Sequence, residues 1–246
     1  MKFVLITLVA GLLVGCAPTL APHSPYIPVL RERGEAEVRL GTGIGGSELQ
    51  LAYQATDNLV LHGGLLHLGR PNSGRVFRSA ELGAGYYYLS PNQIWRLGIH
   101  GGFAYGSGKS GSSCFDCAAV DRYSKYSVRY TYAYVQPTVI FMEGERHSWS
   151  LAMRVGQTYY HQLNEQRYAD RMPEPQLYSH AGRSATFVQP MFQTDYRLRR
   201  WLRLSSRFGI QGFWGEQSPL NNVEPFVVQG AVHFIVNTRP LPKPQP

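Results

Sequence analysis

Few residues in this 246-residue chain could do chemistry, and their spacing says more than their types. Glu35, Glu37 and Arg39 occupy every second position, Arg203 and Arg207 share one parity, and Glu48, Glu81, Arg96, His100, Arg154 and His233 each sit in a run where small or polar residues alternate with large apolar ones. Carboxylates and bases placed this way can exchange protons, hold a ligand, or neutralise one another as a polar filling. Asp116, Asp121, His161, Asp170 and His180 offer Asp/His combinations for a hydrolase or acyltransferase, with Asp170 beside His161 or His180 the pair to test first. No recognisable spacing gathers them, so no catalytic residue is assigned. Cys114 and Cys117 form a lone CxxC without the second pair a zinc ribbon needs. Their surroundings read as loop and strand and do not open a helix, so the expectation is a small loop-stapling disulfide, with no metal site and no cofactor. The stretch Gly106 to Ser110 lacks the spacing of a phosphate-binding loop.

The elements that must position these residues follow from a period of two. About ten alternating segments bounded by turn residues run Glu35–Thr42, Glu48–Ala55, Leu59–Gly69, Val76–Ser90, Gln93–Gly106, Val128–Met142, Ser148–Gln162, Arg183–Leu198, Trp201–Phe213 and Pro225–Asn237, with no helix-period stretch competing. In the fifth, Trp95, Leu97, Ile99, Phe103 and Tyr105 oppose Arg96, Gly98, His100, Gly102 and Ala104. The second face is too polar for a dry core and too rich in small residues for an ordinary wet surface. It suits the interior of a transmembrane barrel, whose strands read apolar outward and polar inward. The fold class predicted is therefore all-β: an up-and-down antiparallel transmembrane β-barrel of about ten strands spanning residues 34–238. Closure leaves no unpaired edge in hydrocarbon. Glu35, Glu37, Arg39, Glu48, Glu81, Arg96, His100, Arg154, Arg203, Arg207 and His233 then form a polar network in the lumen.

Connection lengths and aromatics agree with this architecture. Tight links (Thr56–Asn58, Pro91–Asn92, Glu143–His147, Arg199–Arg200) alternate with long ones, especially Ser107–Ser127 and Leu163–Gly182, as short periplasmic turns alternate with long outer loops. Trp95, Trp149 and Trp201 with Tyr86, Tyr87 and Tyr88 are assigned to the periplasmic girdle, and Tyr105, Tyr130, Tyr132, Tyr159, Tyr160 and Trp214 to the outer one. By parity Trp201 falls with Arg203, which calls for a bulge or a lumen cap. Pro137 and Pro190 each remove a ladder donor mid-strand, and bulges are expected there.

The ends of the chain are different in kind. Lys2 and the apolar run Phe3 to Val14 read as a signal peptide over residues 1–15, too short to span a bilayer as a helix. Leu13-Val14-Gly15-Cys16 resembles a bacterial lipobox, which implies cleavage before Cys16 and acylation of its sulfur. Ala17-Pro18, in place of Asp, implies by the same resemblance passage to the outer membrane. Residues 16–33, with Pro18, Pro22, Pro25 and Pro28, read as a lipid-anchored spacer, and residues 239–246 as a proline-rich tail. An even strand count returns both termini to the short-turn side, matching an N-terminus anchored on the periplasmic face.

The run Ala21 to Leu30, then Gly34-Glu35, then Glu48 to Leu59 and Glu81 to Tyr88, resembles uncharacterised lipid-anchored outer-membrane barrel proteins of Bacteroidota. The likeness covers roughly the first third of the chain and implies fold and location, with no catalytic residues to transfer. Net charge is +8, or +7 once Lys2 leaves with the signal. In an envelope protein without a concentrated basic run, this favours anionic lipid or polysaccharide over nucleic acid, with Arg199, Arg200 and Arg203 near the periplasmic face. Besides outer-membrane lipid, no protein partner is specified. The sequence thus points to a structural or interaction barrel without chemistry of its own. A narrow pore or small-ligand and anion-binding barrel is the alternative, and an outer-membrane hydrolase or acyltransferase stands third.

Overall fold

The computed structural model describes residues 20–28, 30–43, 46–69, 75–91, 94–113, 122–169, 174–214 and 226–238. The signal and lipobox residues, Cys114, Cys117, Asp116, Asp121, Asp170 and the proline-rich tail lie outside them. The strands are β1 (Glu35–Gly43), β2 (Gly46–Gln54), β3 (Leu59–Gly69), β4 (Val76–Leu89), β5 (Trp95–Ser113), β6 (Arg122–Glu143), β7 (His147–Ala169), β8 (Gln176–Ser179), β9 (Arg183–Arg199), β10 (Leu202–Ile210), β11 (Gly212–Trp214) and β12 (Phe226–Asn237). All pairings are antiparallel between neighbours. β1 pairs β12 and β7 pairs β9, so ten strands close into an up-and-down barrel, while β8 and β11 are short flaps on β7 and β9.

Parity sorts the side chains. Phe103 is 63% exposed, Leu82 60% and Ile99 55%, on the same strands whose alternate residues Glu81 and His100 are buried. Greasy outside and ionic inside is the arrangement of a barrel wetted by hydrocarbon. At the short-turn end cross-strand aromatic pairs ring the wall: Trp95 on Phe141 at 4.7 Å, Trp149 on Phe192 at 5.7 Å, and Trp201 stacked on Phe234 at 6.5 Å.

Several details depart from the sequence reading. The longest loops expected, Ser107–Ser127 and Leu163–Gly182, are in large part strand. β6 has 22 residues and β7 has 23, and at roughly 3.3 Å per residue they outrun a bilayer core of about 30 Å, so their far ends stand above it. Their outer face there carries Lys125, Ser127 and Arg129 in place of apolar residues, so the extension lacks membrane-type alternation. Neither proline shifts register: Ile99 pairs Pro137 and Met153 pairs Pro190 within unbroken ladders, because each proline loses its donor toward one neighbour only. The irregularities fall instead at Arg129/Tyr130, where His161 is the extra residue, and at Leu202/Arg203. In the second the extra residue is Leu198 on β9, and Trp201, in the turn before β10, is exposed and stacks on outward Phe234 without capping the lumen. Tyr130, Tyr132, Tyr160 and Tyr87, assigned to the girdles, face inward and are buried, whereas Tyr86, Tyr88, Tyr105 and Tyr159 face out. Arg203 is also turned inward, leaving Arg199 and Arg200 as the exposed pair at that turn.

The largest departure is at the N-terminus. Residues 20–28 and Leu30 are buried inside the barrel and do not form an external spacer. Leu20 packs among Leu66, Leu68, Phe77 and Tyr130, at the long-loop end of β3, β4 and β6. At the other end Arg31 reaches Glu145 in the tight β6–β7 turn. The segment therefore runs down the lumen, and Gly34, at φ 87°, supplies the reversal into β1 that a side chain would strain. Prolines at 22, 25 and 28 bar it from any ladder, and an extended polyproline-like strand is the shape that fits a bore.

Candidate functional site

The lumen is built from two parts, the inward rows of the strands and the segment that fills them. Much of the segment's backbone is held by side chains of the wall. Tyr130 Oη donates to the Ala21 carbonyl at 3.1 Å, and the His23 amide donates to Tyr132 Oη at 3.2 Å. Arg154 Nη1 donates to the His23 carbonyl at 3.2 Å, while the Ser24 amide donates to Glu48 Oε1 at 2.7 Å and Gln50 Nε2 donates to the Ser24 carbonyl at 3.2 Å. Further down, Gln136 Nε2 donates to the Tyr26 carbonyl at 2.7 Å, Gln193 Nε2 to Ile27 at 3.5 Å, Tyr87 Oη to Pro28 at 3.4 Å, and the Arg96 guanidinium to Leu30. Buried carbonyls must find donors, and here the donors come from six strands in descending order along the bore.

Two ionic clusters lock the wall around it. Arg154 grips Glu81 with two bonds, Nη1 to Oε2 at 2.8 Å and Nη2 to Oε1 at 3.1 Å, and lies over the Tyr134 ring at 3.9 Å. Tyr132 and Tyr134 donate to the same carboxylate at 2.8 and 2.9 Å, and Gln136 Oε1 accepts from Arg154 at 3.0 Å. Across the lumen Arg39 donates to Gln50 Oε1 at 2.7 Å, to Gln229 Oε1 at 3.0 Å and to Glu48 Oε2 at 3.4 Å, while Arg207 donates to Gln50 at 3.2 Å and also to Gln193. Below, His233 bonds Glu37 on one ring nitrogen and Ser205 Oγ at 2.7 Å on the other. Such desolvated pairs hold only with satisfied geometry, and breaking one costs more than its formation contributes.

Every lumen residue named from the sequence lies on the inner face, and none is more than 7% exposed. The structure joins Arg39 with Glu48, Arg154 with Glu81, and Glu37 with His233; Arg96 serves the N-terminal segment, and His100 packs between Tyr87 at 4.9 Å and His62 at 5.5 Å. Sequence reasoning missed Gln136, Gln193, Asp195 and the inward tyrosines. The signal was present: Tyr130, Tyr132 and Tyr134 share parity with Gln136, a row too polar at its tips for lipid. Asp195 alters the electrostatics, because buried Arg39, Arg96, Arg154, Arg203 and Arg207 are now matched by Glu35, Glu37, Glu48, Glu81 and Asp195. Among the described residues the fully buried arginines therefore do not outnumber the buried carboxylates. The hydrolase candidates that can be placed do not converge. His161 is on the outer face, 3.1 Å from Thr131 Oγ1, whereas His180 lies 3.5 Å from the inward carboxylate Glu165.

No protein-family model matches the sequence, and no curated protein is similar to it. Among solved structures it is similar to the CymD monoaromatic hydrocarbon channel, at 8% identity over 92% of this chain and 76% of that one, with a TM-score of 0.40. It is likewise similar to an outer membrane channel from Pseudomonas putida F1, at 12% identity over 86% and 99% with a TM-score of 0.37. The TodX monoaromatic hydrocarbon channel aligns at 8% identity over 83% and 88% with a TM-score of 0.36. These likenesses concern the backbone trace, and none brings a ligand or an activity to this chain.

Proposed function

We propose that this protein is an outer-membrane barrel whose bore is closed by its own N-terminal segment and which passes small polar solutes when that segment is released. One observation carries the reading: seven carbonyls between Ala21 and Leu30 accept from wall side chains, so the plug is clasped by exchangeable side-chain bonds and is not woven into the sheet. The balanced lining argues for weak charge preference. Planar-bilayer recording tests it. The full chain is expected to be silent at low voltage, and a chain lacking residues 20–30, or the wall double variant Tyr87→Phe with Gln136→Leu, is expected to conduct. A folded deletion variant that stays silent defeats the proposal and returns the protein to a purely structural barrel, the reading that the two buried ionic clusters favour.

The same path bears on the anchor. Leu20 stands at the long-loop end, and four residues reach at most about 14 Å, so an acyl group on Cys16 belongs with the leaflet at that end and not with the periplasmic one. Radiolabelled fatty acid incorporated into the chain but not into Cys16→Ala, together with an epitope after Pro18 accessible on intact cells, is the expected result.

A further inference from the structure

Adjacent cross-strand rows on the outer face of β1 to β6 differ sharply in chemistry. The lower row runs Leu40, Leu49, Leu65, Ala80, Tyr105, each residue paired directly with the next. Small Ala80 between Leu65 and Tyr105 sinks the middle of this row, and a groove of about 670 Å³ opens there. The row immediately above, about 7 Å further from the membrane centre, pairs His67 with Arg78, Arg78 with Ser107 and Ser107 with Arg129. Lys109 follows one row higher, opposite Val76 and Ser127. Arg78, Lys109 and Arg129 line a second hollow of about 330 Å³, continuous with the first because Arg78 and Ser107 border both. Among the described residues no carboxylate pairs with any of the three. Three cations gathered on one face repel unless an anion lies between them, and guanidinium pairs favour phosphate.

We propose that this face binds a phosphate-bearing, acylated lipid of the outer leaflet, with the phosphate between Arg78, Lys109 and Arg129 and an acyl chain in the groove over Ala80. Charge complementarity selects the headgroup, and the apolar row directly beneath selects an amphiphile over a free anion. The cations stand where an outer headgroup layer meets the hydrocarbon, the depth at which charge on the lipid-facing wall costs least. The site is independent of the lumen and of the plug.

The test uses the full chain in neutral detergent, loaded with bisphosphorylated lipopolysaccharide, separated by gel filtration and assayed for retained lipid phosphate. Wild type is expected to retain the lipid. Arg78→Gln with Arg129→Gln is expected to bind at least tenfold more weakly, and Ala80→Phe, which fills the groove and leaves the cations, is also expected to bind more weakly. Heat-modifiable migration on a gel reports that each variant is folded. Phosphatidylcholine is expected to be lost on the column, and inorganic phosphate at millimolar concentration to compete poorly. Equal retention by the charge-removed variant overturns the proposal. So does full competition by inorganic phosphate with no effect of Ala80→Phe, which makes the site one for a free anion, and so does equal retention of phosphatidylcholine, which makes the face an unselective lipid surface.

Discussion

Replacing Arg154 with Ala removes the busiest donor in the lumen. Its five hydrogen bonds go to Glu81 twice, to Gln136 twice and to the His23 carbonyl. Glu81 keeps only the hydroxyls of Tyr132 and Tyr134, too little for a carboxylate buried this deeply in the lumen. Breaking a buried pair by removing one partner costs about 3–5 kcal/mol, whereas replacing both by neutral groups is nearly level. Arg154→Ala, and likewise Arg154→Met, should therefore lower stability by about 4 kcal/mol, and Arg154→Met with Glu81→Met by about 1 kcal/mol, a coupling of several kcal/mol in the double-mutant cycle of the two methionine substitutions once Glu81→Met is measured alone. Urea titration of protein folded into lipid vesicles, followed by tryptophan fluorescence, reads these differences directly. The single variant should also loosen the segment at His23 and raise conductance over the parent. A cost below about 1 kcal/mol for Arg154→Ala would show that water replaces the guanidinium, and the argument for a dry, clasped lumen would fail.

Three further outcomes follow from the same geometry. Tyr132→Phe loses one bond to Glu81 and one from the His23 amide, and should cost about 1–3 kcal/mol in the same titration. A Cβ at Gly98 would stand 2.5 Å from the Tyr87 ring, so Gly98→Ala should destabilise by about 1–3 kcal/mol and Tyr87→Leu should restore part of that loss. Above the membrane, burial pushes the Glu165 pKa up, but bonds from Arg167 and Tyr126 and the Arg167 charge outweigh it and hold the carboxyl below its ordinary 4.5. Its contribution is then complete above about pH 4.5 and lost as pH falls further. Amide exchange in the β6–β7 extension, corrected for intrinsic rates, should accelerate below that point in wild type and show no such pH step in Glu165→Gln.

Strand number and facing were legible in the sequence because a bilayer wall leaves an alternation that a soluble core does not. Leu97, Ile99 and Phe103 against Arg96, His100 and Ala104 could be sorted without coordinates, and the charged lumen residues with them. Tyrosine carries no such signature, since an apolar ring with a polar tip suits either face, and Tyr130 and Tyr132 went to the wrong one. The extensions of β6 and β7 were illegible for a related reason: above the membrane the outer face is polar, as Lys125, Ser127 and Arg129 show, and the apolar-outward pattern stops. Hardest was residues 20–30. An extended proline segment has no period, and its partners, from Glu48 to Gln193, are scattered over most of the chain. Only the closed bore brings them together.

A threaded bore constrains the order of assembly. Once β12 has zipped onto β1, a chain end entering the bore would have to thread past the inward Arg154, Arg207 and Tyr132. Surrounding Ala21 to Leu30 while the sheet is still an open ribbon avoids that threading. The first stretch of the folded body to be synthesised thus becomes the mandrel around which the last strands are wrapped.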